Sequence, residues 1–256
     1  MNLNPFLVAL WLAFGSSALA GTDVVPSPPP ALQTITYHAQ QYLIRTVDAK
    51  TEDLQLFWKD DQGNLLHDFA GLEKFVAAKG EKLVFAANAG MFEPDLKPVG
   101  LLVQNGNETC PLNLNDGDGN FFLKPNGVFL INEKREAMVI ESSSHAGLLT
   151  PSVWATQSGP LLVQRGTIHP DFISDSKNFA IRSGVGVRKD GTIVFAISKA
   201  QVNFYSFASL FLYHLKCPNA LFLDGTISEF YSPGFRDAFP HVFGPMIGIV
   251  APAKNP

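Results

Sequence analysis

Hydrophobic and polar positions fall in short blocks along the chain. Turn-forming groups separate them: Asp61-Gln62-Gly63, Asn105-Gly106, Asn126-Gly127, Arg165-Gly166, Asp190-Gly191 and Asp224-Gly225. The apolar, β-branched or aromatic runs between such turns read as strands. Residues 183–198, SGVGVRKDGTIVFAIS, form the clearest hairpin: Val185 and Val187 alternate with small residues, Lys189-Asp190-Gly191 turns, and 193–197 returns.

Two stretches carry a helical period instead. In 70–80, AGLEKFVAAKG, residues Leu72, Phe75 and Val76 share a face and Gly80 marks the end. In 203–216, Asn203 is placed to cap a helix in which Phe204, Phe207, Ala208, Phe211 and Leu215 recur on one side, and Pro218 forbids continuation. The apolar run Ala220–Leu223 follows almost at once and stops at Asp224-Gly225. A helix feeding a strand in this way predicts an α+β fold: one strand-rich domain with a mixed β-sheet and few packed helices. GLLVQNG (100–106) echoes PLLVQRG (160–166), and two ordinary hairpins account for the echo as well as a duplication does.

The first twenty residues stand apart. The apolar run 6–20 ends in Ala18-Leu19-Ala20, which fits a secretory cleavage site, although no Lys or Arg precedes it. Gly15-Ser16-Ser17 interrupts the run short of the ~20 apolar residues that a membrane span needs. The expected organisation is a signal peptide over 1–20, a Pro-rich spacer over 21–34 and a domain over 35–253. That predicts a periplasmic or secreted protein with no stable membrane insertion after cleavage. Nineteen basic and 23 acidic residues give a net charge of −4, which argues against a nucleic-acid partner, since that needs a basic stripe. Cys110 and Cys217 are the two cysteines; pairing in an oxidising compartment and burial as apolar thiols both remain open.

Familiar catalytic signatures are absent: there is no G-x-S-x-G, no H-E-x-x-H and no phosphate-binding P-loop, and the six histidines are scattered. Asp116, Asp118 and Asn120 alternate as in a calcium loop, but Phe121 and Gly127 occupy positions six and twelve, where Gly and Glu belong. A solvated Gly-rich turn is the default there, and no metal or cofactor is implied.

What remains is a set of polar side chains set against buried-looking strands. A carboxylate closing an apolar strand, as Asp224 does, is costly to desolvate unless paired or hydrogen-bonded. Asn88, Lys124, Gln157-Ser158 and Arg182 stand in similar surroundings. Each has a bland reading: Asp224 and Asn88 as turn residues, Lys124 laid along apolar neighbours, Arg182 as half of an ion pair. Together they predict one pocket. Asp224 and Glu93 are candidate paired carboxylates, and Arg182 and Lys124 candidate anion holders. Asn88, Gln157, Ser158 and Ser228 are candidates for sugar hydroxyls, with Gly90 and Gly225 leaving room beside the backbone.

At these residues the sequence resembles the phosphodiester glycosidase family, that of the lysosomal uncovering enzyme, and within it a bacterial exported branch. The resemblance runs over 83–250 through NAGMF, PVGLLVQNG, NFFLKPNGVF, QSGPLLV, RSGVGV, VNFYSFA and LFLDGTISEFY, in the family's order. It implies hydrolysis of a sugar-1-phosphodiester at its glycosidic bond, releasing sugar and a phosphate monoester. It equates Asn88 with the family's Asn-Gly-Gly-Phe stretch, Arg182 with its buried arginine and Asp224 with the acid of its Leu-Asp-Gly-Gly stretch. Asp224 would then be nucleophile, general base or stabiliser of an oxocarbenium-like centre, with Glu93 the weaker partner. Ala89 and Thr226-Ile227 replace glycines of those stretches. An envelope protein that binds glycan or phosphoglycan in the same cleft without catalysis is the alternative.

Overall fold

The computed structural model describes residue 1 and residues 32–148, 151–235 and 241–253. The expected signal peptide, apart from its first residue, and the spacer up to residue 31 lie outside the described residues. Three sheets make up the fold. The first has seven strands in the order β1 (Gln33–Tyr37), β2 (Gln40–Val47), β13 (Ile193–Ser198), β12 (Ser183–Val187), β14 (Asn219–Asp224), β10 (Leu161–Gln164) and β11 (Thr167–Ile168). The second runs β15 (Phe230–Tyr231), β4 (Glu81–Asn88), β16 (Met246–Pro252), β3 (Asp53–Phe57). The third runs β6 (Asn107–Cys110), β5 (Leu102–Gln104), β9 (Ser152–Ser158), β7 (Gly127–Asn132), β8 (Ala137–Glu141). The first strand thus begins at Gln33, two residues inside the segment expected to be spacer.

One face of each sheet turns inward to a shared core. Phe85 and Ala87 of β4, Phe129 and Ile131 of β7, Val185 of β12, Phe195 of β13 and Leu221 and Leu223 of β14 meet there. The alternate residues face outward and are covered as well. Helix α2 (Phe204–Ser209) lays Phe207 over Val194, Ala196, Ala220 and Phe222. Helix α1 (Phe69–Ala78) lays Leu72 and Val76 over Leu83, Ala86 and Met246. Burial on both faces explains why β13 and β14 read as continuous apolar runs. Every pairing in the three sheets is antiparallel. The expected mixed sheet failed on one detail. Helix α2 does join two strands of the same direction, β13 and β14, but β12 lies between them and runs against both.

Both helices start at side-chain caps, the expected Asn203 and, for α1, Asp68, which the sequence reading did not name. Asp68 Oδ1 accepts the N–H of Gly71 at 2.7 Å, and Asn203 Oδ1 that of Ser206 at 2.9 Å. Gly80 follows the Lys79 C-cap with φ +74°, the left-handed step that ends α1. The second helix is not uniform: after Ser209 it widens into a π-helical turn, Leu210–His214, where Leu215 N–H reaches back to Leu210 O. The 183–198 hairpin and the turns at Gly63, Gly106, Gly166 and Gly191 form as expected. Asn126-Gly127 does not turn: Gly127 opens β7 and Asn126 is buried, its amide donating to Phe121 O. Cys110 and Cys217 are free and buried, in different clusters on opposite faces of the first sheet. Among the described residues no helix is long and apolar enough to cross a membrane.

Candidate active site

The end of β4, the start of β12 and the end of β14 converge. Ser183 is paired with Asp224, yet the next pair is Gly184 with Phe222, so β14 carries one extra residue just before its end. Such a bulge re-aims the side chains beyond it. Asp224 folds back over the turn that follows. Its Oδ1 accepts the N–H groups of Gly225 at 2.5 Å, Thr226 at 2.6 Å and Ile227 at 3.3 Å. Its Oδ2 carries none of these bonds. The side chain is buried, and desolvation raises its pKa from the ordinary 3.8, although the three N–H groups pull the other way. Thr226 and Ile227, which replace glycines of the resembled pattern, hold the carboxylate through their backbone N–H groups.

Three hydroxyl and amide groups lock the strands together behind it. Ser228 Oγ lies 2.9 Å from the Asp224 carbonyl oxygen and 3.2 Å from Ser183 Oγ. Ser183 Oγ in turn donates to Asn88 Oδ1 at 3.1 Å. That leaves Asn88 Nδ2 buried with no hydrogen-bond partner. A buried donor left unmade is costly, and native structures keep few of them.

Arg182 stands one residue before β12, with 1 % of its surface exposed. Its guanidinium lies 3.6 Å above the Phe204 ring centroid and 5.4 Å from that of Phe222. Nε donates to Val202 O at 2.9 Å; Nη2 donates to Asn178 O at 2.9 Å and Oδ1 at 3.1 Å. Nη1 makes none of these bonds and faces Gly225, where an added Cβ would stand 3.5 Å from it and 2.9 Å from the Phe222 ring, which takes up room expected to be open there. Burial lowers the arginine's pKa to about 10, still well above neutrality. Among the described residues no carboxylate pairs with it, Asp224 included, so these residues hold a desolvated cation without supplying its counter-ion.

The structure therefore gathers Asn88, Arg182, Asp224, Gly225 and Ser228 and adds Ser183, which the sequence reading missed although it adjoins Arg182. Ser158 belongs behind the site. It is fully buried and donates to Leu223 O at 3.1 Å, fixing the residue before Asp224. The other predicted positions are placed elsewhere or occupied. All four hydrogen-bonding capacities of the Gln157 amide serve the fold: Oε1 accepts from Leu101 N and Asn113 N, and Nε2 donates to Asn113 O and Ser142 Oγ. The room beside Gly90 is filled by β9, because an added Cβ would stand 2.3 Å from Gln157 O. Lys124 is half exposed, with Nζ on Asp116 Oδ1 at 2.5 Å and Leu114 O at 2.9 Å. Glu93 sits in an exposed loop, its N–H on Lys97 O, beside Pro111 and Asn113. It does not form a carboxylate pair with Asp224. Glu229 was also missed. It is buried next to β15, with Oε2 3.2 Å from His241 Nδ1, and its signal was a charged residue directly before two aromatics and only five positions after Asp224.

Similarity to known proteins identifies the family of the chain. A family model described as phosphodiester glycosidase matches residues 81–232. The Escherichia coli K12 protein YigE, itself described as uncharacterized, is 32% identical over 234 residues, 91% of this chain and 87% of that one. Among solved structures, the catalytic domain of zebrafish N-acetylglucosamine-1-phosphodiester alpha-N-acetylglucosaminidase, auto-inhibited by its pro-peptide, superposes with a TM-score of 0.58 at 16% identity, covering 86% of this chain and 81% of that one. A hypothetical protein from Synechocystis gives 0.53 at 14% identity (86% and 61% covered), and a putative exported protein from Burkholderia pseudomallei K96243 gives 0.51 at 11% (82% and 74%). With more than half of its length matched by the family model and a relative above 30% identity along nearly all of it, this chain belongs to the phosphodiester glycosidase family.

Proposed function

We propose that the protein is an exported hydrolase that cleaves the glycosidic bond of a sugar-1-phosphodiester. The observation that carries this reading is the buried Arg182 guanidinium, without a counter-ion among the described residues, beside the Gly225 turn that follows the buried Asp224 carboxylate. An anionic leaving group completes the first, and a centre that gains positive charge completes the second. In the reaction the bond from the anomeric carbon to oxygen breaks. The oxygen and its electron pair stay with phosphate, which departs as a monoester, and water supplies the hydroxyl that the sugar gains. Arg182 Nη1 holds the departing phosphate, an electrostatic contribution of ~3 kcal/mol or more in a site that excludes water. Asp224 presents Oδ2 to the anomeric carbon or to the attacking water, with Oδ1 fixed by the turn. Asn88 Nδ2 donates to a sugar hydroxyl, which relieves its unmet burial. Phosphate leaves readily without protonation, so one carboxylate suffices and Glu93 is not needed. The reaction needs no cofactor, and residues 1–20 direct the chain to the periplasm or beyond.

Turnover of a panel of sugar-1-phosphodiesters in water enriched in oxygen-18 tests the reading. The label is expected in the released sugar and not in the phosphate monoester. Label in the phosphate means phosphorus–oxygen cleavage and refutes a glycosidase. Binding of the panel, measured by calorimetry, without release of sugar favours the non-catalytic alternative. Against that alternative stands the turn itself, which keeps Asp224 in place despite Thr226 and Ile227.

A further inference from the structure

Away from Asp224, two departures from regular backbone bring aromatic side chains to one exposed patch. The two-residue turn between β1 and β2 is His38-Ala39, with φ +46° and +61°. Such a turn ordinarily takes Asn-Gly, because both positions must be left-handed. Here neither residue is glycine, and the turn holds the His38 ring edge-on to Tyr37, centroids 4.1 Å apart. The second departure is the π-helical turn after α2. A continuous α-helix would set His214 only about 60° from Phe211, toward the buried side. The wider turn carries His214 further round and leaves it and Tyr213 exposed, while Leu215 stays in the core. The Tyr37 and His214 rings then lie 5.4 Å apart. Burial, then the phenols of Tyr213 and Tyr205, raises the pKa of Tyr37, so these two tyrosines are close by. Three of the chain's five tyrosines and two of its six histidines thus share one patch. It lies at the edge of the first sheet, with β2 and β13 between it and β12.

We propose that Tyr37, His38, Tyr205, Tyr213 and His214 form a second, non-catalytic site that binds a glycan chain. Pyranose rings present apolar C–H faces rimmed by hydroxyls. This patch sets the exposed rings of His38, Tyr213 and His214 beside Tyr37 and Tyr205, which are half-buried against the core, and its three phenols and two imidazoles can each donate or accept. None of the five carries a fixed positive charge, so the patch offers little to a phosphate or an anionic lipid headgroup. The choice of a glycan over another amphipathic ligand rests on reading the Asp224 site as acting on a sugar. A site of this kind would keep a polymeric substrate near the cleft between turnovers.

The test measures binding of neutral, phosphate-free oligosaccharides of N-acetylglucosamine, glucose and mannose, by calorimetry, to the full chain and to Tyr213→Ala and His38→Asn. Tyr213 is 56% exposed, and Asn tolerates the left-handed turn, so both variants should fold. At least one oligosaccharide should bind, and each variant should weaken it about tenfold while turnover of a small soluble sugar-1-phosphodiester is unchanged. Binding to none of them, or binding that both variants retain, overturns the proposal. So does a change in sedimentation of the variants, which would make the patch a contact between copies of the chain. The two readings fail separately. Turnover without oligosaccharide binding sinks the patch alone, and patch-dependent binding without any turnover sinks the catalytic reading alone.

Discussion

Replacing Asp224 by Asn should remove activity and raise stability. The Asn side chain keeps an oxygen for the N–H groups of Gly225, Thr226 and Ile227 now held at 2.5, 2.6 and 3.3 Å. What it loses is charge. Burial holds the folded-state pKa of Asp224 above its ordinary 3.8. The folded protein therefore retains a proton at pH values where the unfolded chain has released it. Stability falls as pH rises from the unfolded pKa through the folded one, at about 1.4 kcal/mol for each unit separating them. At neutral pH the ionised carboxylate is a net burden, and Asn relieves it. Below the unfolded pKa the advantage of Asn disappears. Asp224→Ala differs, because three donors lose their acceptor at once. At about 1 kcal/mol each this costs about 2–3 kcal/mol at pH 3.5, and less at pH 7, where Ala also relieves the charge, or where water replaces the oxygen. Urea denaturation of the three proteins at pH 7 and at pH 3.5, beside release of reducing sugar, checks both halves. Asn as destabilising as Ala, or an active Asn variant, would refute the reasoning. The first would make the charge structural; the second would remove it from the reaction.

Arg182→Met should fold and lose about 10²-fold or more in kcat, with Arg182→Lys recovering little, since an ammonium cannot keep the Val202 and Asn178 bonds while facing Gly225; sugar-release kinetics decide it. Gln157→Leu should cost about 3 kcal/mol or more by orphaning Leu101 N, Asn113 N and Asn113 O, without changing KM in whatever folds; denaturation and kinetics together separate this from a substrate role. Lys124→Ala should leave kcat/KM within a few-fold, because its ammonium is held at the surface by Asp116; a large loss would return Lys124 to the site. Ala39→Gly should stabilise by about 1 kcal/mol, as the left-handed turn no longer carries a Cβ, and thermal melting would register a rise of about 2–4 °C.

Local signals in the sequence were dependable. The 183–198 hairpin, the Asn203 helix start and the strand ending in Asp224 follow from periods, caps and turn pairs that act within a few residues. The bland reading of Asp224 as a turn residue holds, since it caps its own turn with one oxygen, and the other oxygen is left for the proposed chemistry. Long-range partners were not legible. Nothing near Gln157 in sequence announces that Leu101 and Asn113 will fill its amide, and nothing near Lys124 marks Asp116 as its partner over any other carboxylate. Glu93 looked like a second acid because it follows an apolar strand closely, yet the loop carries it to the surface. The insertion of β12 between β13 and β14 is equally invisible, for it depends on which edge a hairpin docks to and not on its own pattern.

The two thiols have a consequence for biogenesis. Cys110 and Cys217 sit on opposite sides of the first sheet, and burial pushes Cys217 up to about 12. An intramolecular bridge is then compatible only with a chain that has not yet folded, where it would act as a kinetic trap. An oxidising compartment would therefore hinder maturation of this domain, and reductant should speed its refolding or leave it unchanged, never slow it.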